Sequence, residues 1–345
     1  MVGGYLLQQL SRPSSPFKVV YAVSRRAVSG GDKVTSVQLD LSTGDPEARE
    51  KMGDLGVTHL FFAGYAGTVD VDANVALLAN AVAAVESPAL QHVHLVEGTK
   101  WYGYGLLPGA FKTPAKESDP RCLISLFYYH QQDLLMDRVN SGACAWSWSA
   151  SRPHAVVGFS VGSAMNLTLS IAVYASMCKE LGTPFHFPGT QETYDAIYQM
   201  TDSSLLAKSI EWMSCEPQCA NEAFNITNGD FIRWQNVWAR IAGIFGLEVG
   251  RVRTMKLTEV MQTPDKQRAW DRLVARHGLS AEYGYTDLVP NWNFADFVLH
   301  AGVDVMSDTS KCRRFGFYEF EDTADMLMRS FQELIDKKIV AGPGA

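Results

Sequence analysis

The chain has 345 residues, 47% hydrophobic and 19% charged, with a net charge of −7, which is long enough to bury a large core and too apolar for a disordered chain. It has no basic cluster beyond Arg25-Arg26 and Arg313-Arg314, so nucleic-acid binding lacks its electrostatic footprint, and no apolar run reaches the ~20 residues that span a bilayer. The six cysteines are scattered and read as reduced thiols; Cys215 and Cys219 form a C-x3-C pair with no second pair or nearby histidine, so no metal site is expected.

In chain order, residues 5–10 read as a helix, and 18–23, 35–39 and 58–63 as short β-branched strands. An Ala/Leu/Val-rich helix over 71–85 leads to a strand at 92–96, where His92 and His94 are expected to be buried structural side chains. A helix over 126–139 precedes a strand at 146–151 that Arg152-Pro153 should end. This alternation argues for βαβ units and an α/β fold of the Rossmann type, a doubly wound parallel sheet. The second half is less regular. Helices are expected at 167–181, at 205–213 behind an Asp202 cap, around Trp234–Ile241 and over 323–338, with a strand at 223–226 turned at Asn228-Gly229. The division expected is a dinucleotide-binding unit over 1–165 and a partly interleaved substrate-binding region over 166–345.

A dinucleotide fold opens with a strand that feeds a Gly-rich turn at a helix N-terminus, where the pyrophosphate sits. This chain passes at once from Met1-Val2-Gly3 into a helix. The expectation is that Gly3 is the last glycine of that turn, that the first strand is truncated, and that Met1 is a mis-assigned start. An ordinary helix near a natural start is the alternative. The opening residues also lack the basic segment and long apolar stretch of a signal peptide, which points to a cytoplasmic protein.

The strand over 18–23 ends at Ser24-Arg25-Arg26, where an acidic residue would bind the ribose of NAD and arginine accommodates a 2′-phosphate. Two guanidiniums there favour NADPH, a solvated surface pair being the bland alternative. The next strand ends in Asp40-Leu41, a carboxylate and an apolar wall suited to an adenine. Lys100 follows a strand end, where open α/β sheets place ligands, and Tyr128 opens a helix. A lysine beside a tyrosine is an acid–base device, because an ammonium lowers the phenol toward neutral pH. The usual Tyr-x-x-x-Lys arrangement on one helix is absent, since Gln132 lies four residues after Tyr128. Taken singly, Tyr128 also reads as a packed aromatic and Lys100 as a solvated loop residue.

Together these segments resemble the progesterone 5β-reductase/iridoid synthase-like (PRISE) family of atypical extended short-chain dehydrogenases/reductases. The resemblance is carried by Ser24-Arg25-Arg26, Gly98-Thr99-Lys100-Trp101-Tyr102, the Leu126–Asp133 segment around Phe127-Tyr128-Tyr129, Trp148–Pro153, Gly158–Ser160, Met165-Asn166 and Asn221–Asp230. It implies NADPH-dependent 1,4-reduction of enones or enals, with Lys100 and Tyr128 catalytic. It also implies cofactor contacts from Arg25, Arg26, Asp40, Leu41, Gly64, Tyr65, Val96, Val156, Ser163, Ala164 and Met165, and a substrate contact from Phe111 in the loop 108–112. Four positions depart from the family pattern: Trp101 and Ser151 replace histidines, Leu126 an asparagine and Gln132 a glutamate. The alternatives are carbonyl 1,2-reduction with the same groups, or a non-catalytic dinucleotide-binding protein. The expected partner is a small enone or carbonyl compound, and nothing argues against a homodimer.

Overall fold

A computed structural model describes residues 1–44, 46–107, 109 and 111–344. Helix α1 (Val2–Leu10) leads to strands β1 (Val20–Ser24) and β2 (Val34–Gln38), then to helix α2 (Pro46–Met52) and strand β3 (His59–Phe62). Helix α3 (Val71–Val85), strand β4 (His92–Val96), helix α4 (Phe127–Asn140) and strands β5 (Ser147–Pro153) and β6 (Ala155–Val157) follow. Past α5 (Leu167–Glu180) come β7 (Phe185–Phe187), α6 (Gln191–Asp195), β8 (Ile197–Tyr198), β9 (Met200–Asp202), α7 (Ser203–Cys215) and β10 (Glu222–Ile226).

Strands β10, β5, β4 and β3 form one parallel sheet in that order, and β1 and β2 form a separate parallel pair. No ladder joins β1 to β3 among the described residues; between the two pieces Phe17 packs edge-on to His59 at 5.0 Å and to Phe61 at 5.4 Å. Helices α3 and α4 cover one face through Leu78, Val82, Val93, Leu95, Leu135 and Trp148. Helices α1 and α7 cover the other through Leu6, Leu10, Leu206, Ile210 and Phe224. The Asp202 carboxylate caps α7 by accepting from the Ser204 and Leu205 amides, which contributes ~1 kcal/mol. The largest apolar cluster lies in the second half, around Trp234, Trp238, Trp270, Phe331 and the whole of α5.

Most expected elements match within two residues. Strand β5 runs on to Pro153 because that residue occupies the last ladder position, opposite Ile226, where the ladder needs no further donor. The C-terminal helix stops at Asp336, so Lys337 and Lys338 lie past its last turn, with Lys338 at φ 54°.

Strand pleating sends His92 and His94 to one face and Val93, Leu95 and the following Glu97 to the other. Both histidines are buried, each spanning two serine hydroxyls: His92 meets Ser147 and Ser149, and His94 meets Ser149 and Ser151. Burial holds His92 and His154 down at about 3 and holds His94 well below the ordinary 6.5. The unfolded chain therefore binds more protons than the folded one between those values. The stability these three contribute is complete above the unfolded value and lost as pH falls toward about 3. The urea midpoint should drop steadily on acidification below pH ~6.5, and a midpoint unchanged down to pH ~4 would contradict this.

Candidate active site

The functional groups gather at the carboxyl edge of the sheet, where successive parallel strands all end on the same side. The Glu97 amide donates to the Ser151 carbonyl at 2.8 Å, extending the β4–β5 register by one step. Arg152 in turn pairs with Asn225 of β10. Three neighbouring strands thereby bring Glu97, Arg152 and Asn225 side by side.

Arg152 is 2% exposed, and each nitrogen of its guanidinium donates a hydrogen bond. Its Nε donates to Glu97 at 2.8 Å, Nη1 to the Tyr102 hydroxyl at 3.1 Å and Nη2 to the Gln132 side-chain carbonyl at 3.2 Å. Its plane lies 3.7 Å from the Trp101 ring centroid, a cation–π contact worth about 2 kcal/mol when desolvated. Tyr102 passes the network on, donating to Asn225 at 2.6 Å, and burial pushes its phenol up to about 12. Arg121 approaches the same indole at 5.0 Å and holds Asp133 through two bonds of 2.7 and 2.8 Å. Tyr129 locks the turn from α4 by donating to the Trp101 carbonyl at 2.6 Å. Trp101 and Gln132, two departures from the family pattern, are thus both partners of Arg152.

These contacts fix the 3-10 turn Thr99–Tyr102, which buries Trp101 and Tyr102 and leaves Lys100 half-buried. Lys100 makes no ion pair among the described residues. Tyr128, half-buried in the first turn of α4, packs on Phe127 with ring centroids 4.4 Å apart. A Cβ placed on Gly98 would lie 3.5 Å from the Tyr128 hydroxyl, which itself makes no hydrogen bond among the described residues. The turn after β4 and the start of α4 therefore converge. Burial raises the Tyr128 phenol above its ordinary value, and the charges of Glu97 and Tyr65 push it the same way. This is opposite to the lowering expected from an ammonium alone, so the resting side chain is a proton-bearing donor.

The remaining residues named from sequence lie on several elements. Arg25 and Arg26 are exposed just past β1, with no ion pair among the described residues. The Asp40 carboxyl is held below its ordinary value, chiefly by the hydroxyl and amide of Ser42, with Arg25 adding to this; Leu41 begins the 3-10 turn that Asp40 caps. Gly64 and Tyr65 follow β3, in a loop held by buried Asn74, which accepts from the Ala66 amide at 3.0 Å. Val96 ends β4, Val156 lies in β6, and Ser163, Ala164 and Met165 occupy the loop before α5. Gly3 is exposed in the first turn of α1.

That helix also reaches the site: the Phe159 amide donates to the Tyr5 hydroxyl at 2.8 Å. A side chain at Gly158 would fall 2.5 Å from Ser203 Oγ, so this approach requires glycine. Phe111 packs at 5.3 Å on Tyr104, which packs at 5.1 Å on Phe297, linking the segment after the Thr99–Tyr102 turn to the second half of the chain. Pro108 and Ala110 of the same loop lie outside the described residues. Sequence reasoning missed Glu97, Asn225 and the buried role of Arg152. A carboxylate directly after an apolar strand, with an arginine ending its neighbour, was the available signal.

The family model for PRISE-like Rossmann-fold domains matches residues 11–341. The chain belongs to this family. It is 32% identical to a (S)-8-oxocitronellyl enol synthase of Nepeta racemosa, over 95% of this chain and 86% of that protein. It is also 32% identical to a 3-oxo-Δ(4,5)-steroid 5β-reductase of Arabidopsis thaliana, over 94% of this chain and 85% of that one. Among solved structures, the terminal R domain from the myxalamid biosynthetic pathway superposes with a TM-score of 0.65 at 15% identity, covering 99% of this chain and 90% of its own. A short-chain dehydrogenase/reductase superfamily protein from Agrobacterium tumefaciens gives 0.61 at 14% identity, over 98% and 97%. These two likenesses show the fold, which is of the Rossmann type.

The Glu97–Arg152 pair carries an energetic asymmetry. Desolvation outweighs the arginine and pushes Glu97 up to about 7, and its second oxygen is buried without a partner. Arg152→Leu would leave an ionised carboxylate unpaired, costing ~3–5 kcal/mol at pH ~8. Without the arginine the carboxyl takes up a proton more readily, so the loss shrinks as pH falls. Urea unfolding of the variant at that pH and at a lower one checks this, and equal losses would rule out an ionised pair.

Proposed function

We propose that this protein is an NADPH-dependent reductase of α,β-unsaturated carbonyl compounds. The observation that carries the reading is the Tyr128 hydroxyl lying against Gly98, two residues before Lys100, in a member of this family; neither the hydroxyl nor the Lys100 ammonium has an internal polar partner among the described residues. The two plant relatives are a 5β-reductase of a 3-oxo-Δ(4,5)-steroid and an (S)-8-oxocitronellyl enol synthase, by name.

The donor set at the end of β1 suits a 2′-phosphate: two adjacent exposed guanidiniums with no internal ion pair among the described residues, and no carboxylate at that strand end. Arg25 and Arg26 would hold that phosphate, Asp40 and Leu41 the adenine, and Ser163–Met165 the nicotinamide end. When bound, NADPH would supply a hydride to the β-carbon and leave as NADP+, the C=C pair shifting to the bond between the α-carbon and the carbonyl carbon as the C=O π pair moves onto the oxygen. Tyr128 donates a hydrogen bond to that oxygen as charge builds there, which is transition-state stabilisation of the oxyanion type. Its raised phenol keeps the proton available. Lys100, on the rigid turn after β4, orients the ribose and adds positive charge beside Tyr128. A solvent proton at the α-carbon then completes the saturated carbonyl.

Exposed apolar side chains on the segments that leave the strand ends, Tyr65, Leu106, Leu107 and Met165, suit an apolar substrate. Placement of its β-carbon, rather than its carbonyl carbon, over the hydride is what selects 1,4- over 1,2-reduction.

Tyr128→Phe should lower NADPH oxidation with a small enone by roughly 10²-fold or more while NADPH binding, followed by fluorescence, is retained; equal rates would remove Tyr128 from the mechanism. Arg25→Ala with Arg26→Ala should raise KM for NADPH by roughly ten- to a hundredfold and leave KM for NADH unchanged. A parallel rise for both cofactors would refute the phosphate role.

A further inference from the structure

Glu97 is the one ionisable group of the Arg152 network with an unsatisfied atom. Its residue is 3% exposed; one carboxylate oxygen accepts from Arg152 at 2.8 Å, and the other is buried without a hydrogen-bond partner. It directly precedes Gly98, against which the Tyr128 hydroxyl lies, and pleating turns it toward α4, the helix that carries Tyr128. It also stands three residues before Lys100, on the turn that the Arg152 network immobilises.

We propose that Glu97 is a positioning residue for the reduction: its carboxylate, clamped on Arg152 directly behind Gly98, holds Tyr128 as a proton-bearing donor, and uptake of a proton there removes an opposing charge and speeds hydride addition. This rests on the reductase reading above and adds to it a residue that touches neither cofactor nor substrate.

The sign follows from electrostatics. Negative charge grows on the carbonyl oxygen facing Tyr128, and an ionised Glu97 behind the same hydroxyl opposes it. Neutralising Glu97 leaves Arg152 uncompensated, which favours an anion at that place. The other charged and titratable groups facing Glu97 are Arg152 on β5, Arg121 before α4, Asp133 and Tyr128 on α4, and Tyr102 in the turn. Among these, Arg121 and Asp133 hold each other in an ion pair, and burial raises the two tyrosines above neutral pH. Glu97, pushed up to about 7 by burial, is left to titrate near neutrality.

The test measures kcat for NADPH oxidation with a small enone from pH ~5.5 to ~8.5, alongside urea unfolding over the same range. Wild-type kcat should fall roughly tenfold as pH rises through about 7, with KM for NADPH little changed. Glu97→Gln should be flat and sit at the wild type's acid plateau. Should that variant fail to fold because Arg152 is left unpaired, Glu97→Gln with Arg152→Gln buries no charge and should likewise be flat.

Unfolding supplies a readout that needs no turnover. Glu97 has a folded value of about 7 against an ordinary 4.5, so the folded state binds the extra proton. Its contribution to stability is present at low pH and declines as pH rises through that window, opposite to the histidines. The wild-type midpoint minus that of Glu97→Gln should therefore fall between those pH values. A wild-type kcat that is flat or rises with pH, or an inflexion that survives in either variant, would overturn the proposal. Failure of the reductase reading is distinct: no protein turns over any enone at any pH, while the unfolding difference persists.

Discussion

The burial of the Arg152 guanidinium is the constraint on which the site depends. Burying a cation is costly unless it is paired and hydrogen-bonded, and leaving one charge of a buried ion pair unmatched costs several kcal/mol. Arg152 meets the requirement by drawing on β4, the turn after it and α4, through Glu97, Tyr102 and Gln132, while Trp101 covers its face. Those acceptors cannot move without exposing a charge to an apolar interior. The turn between Gly98 and Gly103 is therefore as rigid as the sheet, and Lys100 is carried on it.

Burial and charge are balanced differently on the two faces of β4. On one, His92 and His94 are neutral and tied to serines, so that face holds polar atoms without charge. On the other, an ion pair sits beneath the turn that carries Lys100, and desolvation raises its carboxylate to about 7. The same physical term, the cost of removing a charge from water, silences the histidines at neutral pH and brings Glu97 into titration there. The groups proposed to face a ligand, Lys100, the Tyr128 hydroxyl and the guanidiniums of Arg25 and Arg26, make no side-chain hydrogen bond or ion pair among the described residues. Rigidity is concentrated behind the site and unspent hydrogen-bonding capacity in front of it, which is the arrangement preorganised catalysis requires.

Strand and helix positions were legible because their signals are local. β-Branched runs bounded by polar or glycine residues gave the strands of the first half, and Asp202 before two serines marked the start of α7. The Arg25-Arg26 pair at a strand end and the Lys100 and Tyr128 motifs were legible for the same reason, since each is a short run of residue types. The extent of β5 was not, because Arg152 and Pro153 continue the strand only through pairing with Asn225 and Ile226, more than seventy residues on. Glu97 was missed because its only signal, a carboxylate after an apolar strand with an arginine ending the neighbouring one, gains meaning once the two strands are paired. The direction of the Tyr128 shift was misjudged because a nearby lysine is visible in a sequence and desolvation is not.

By itself the sequence determined which residues could do chemistry and where strands and helices would lie, since propensity, periodicity and motif spacing act over a few residues. Only the tertiary structure decided that the sheet divides into a pair and a four-stranded ladder, and that Glu97, Arg152, Tyr102 and Gln132 form one buried network. It also decided that Tyr128 rests as a donor. Each of these depends on how far a group is removed from water and which distant strand lies beside it, and both are properties of the packed chain.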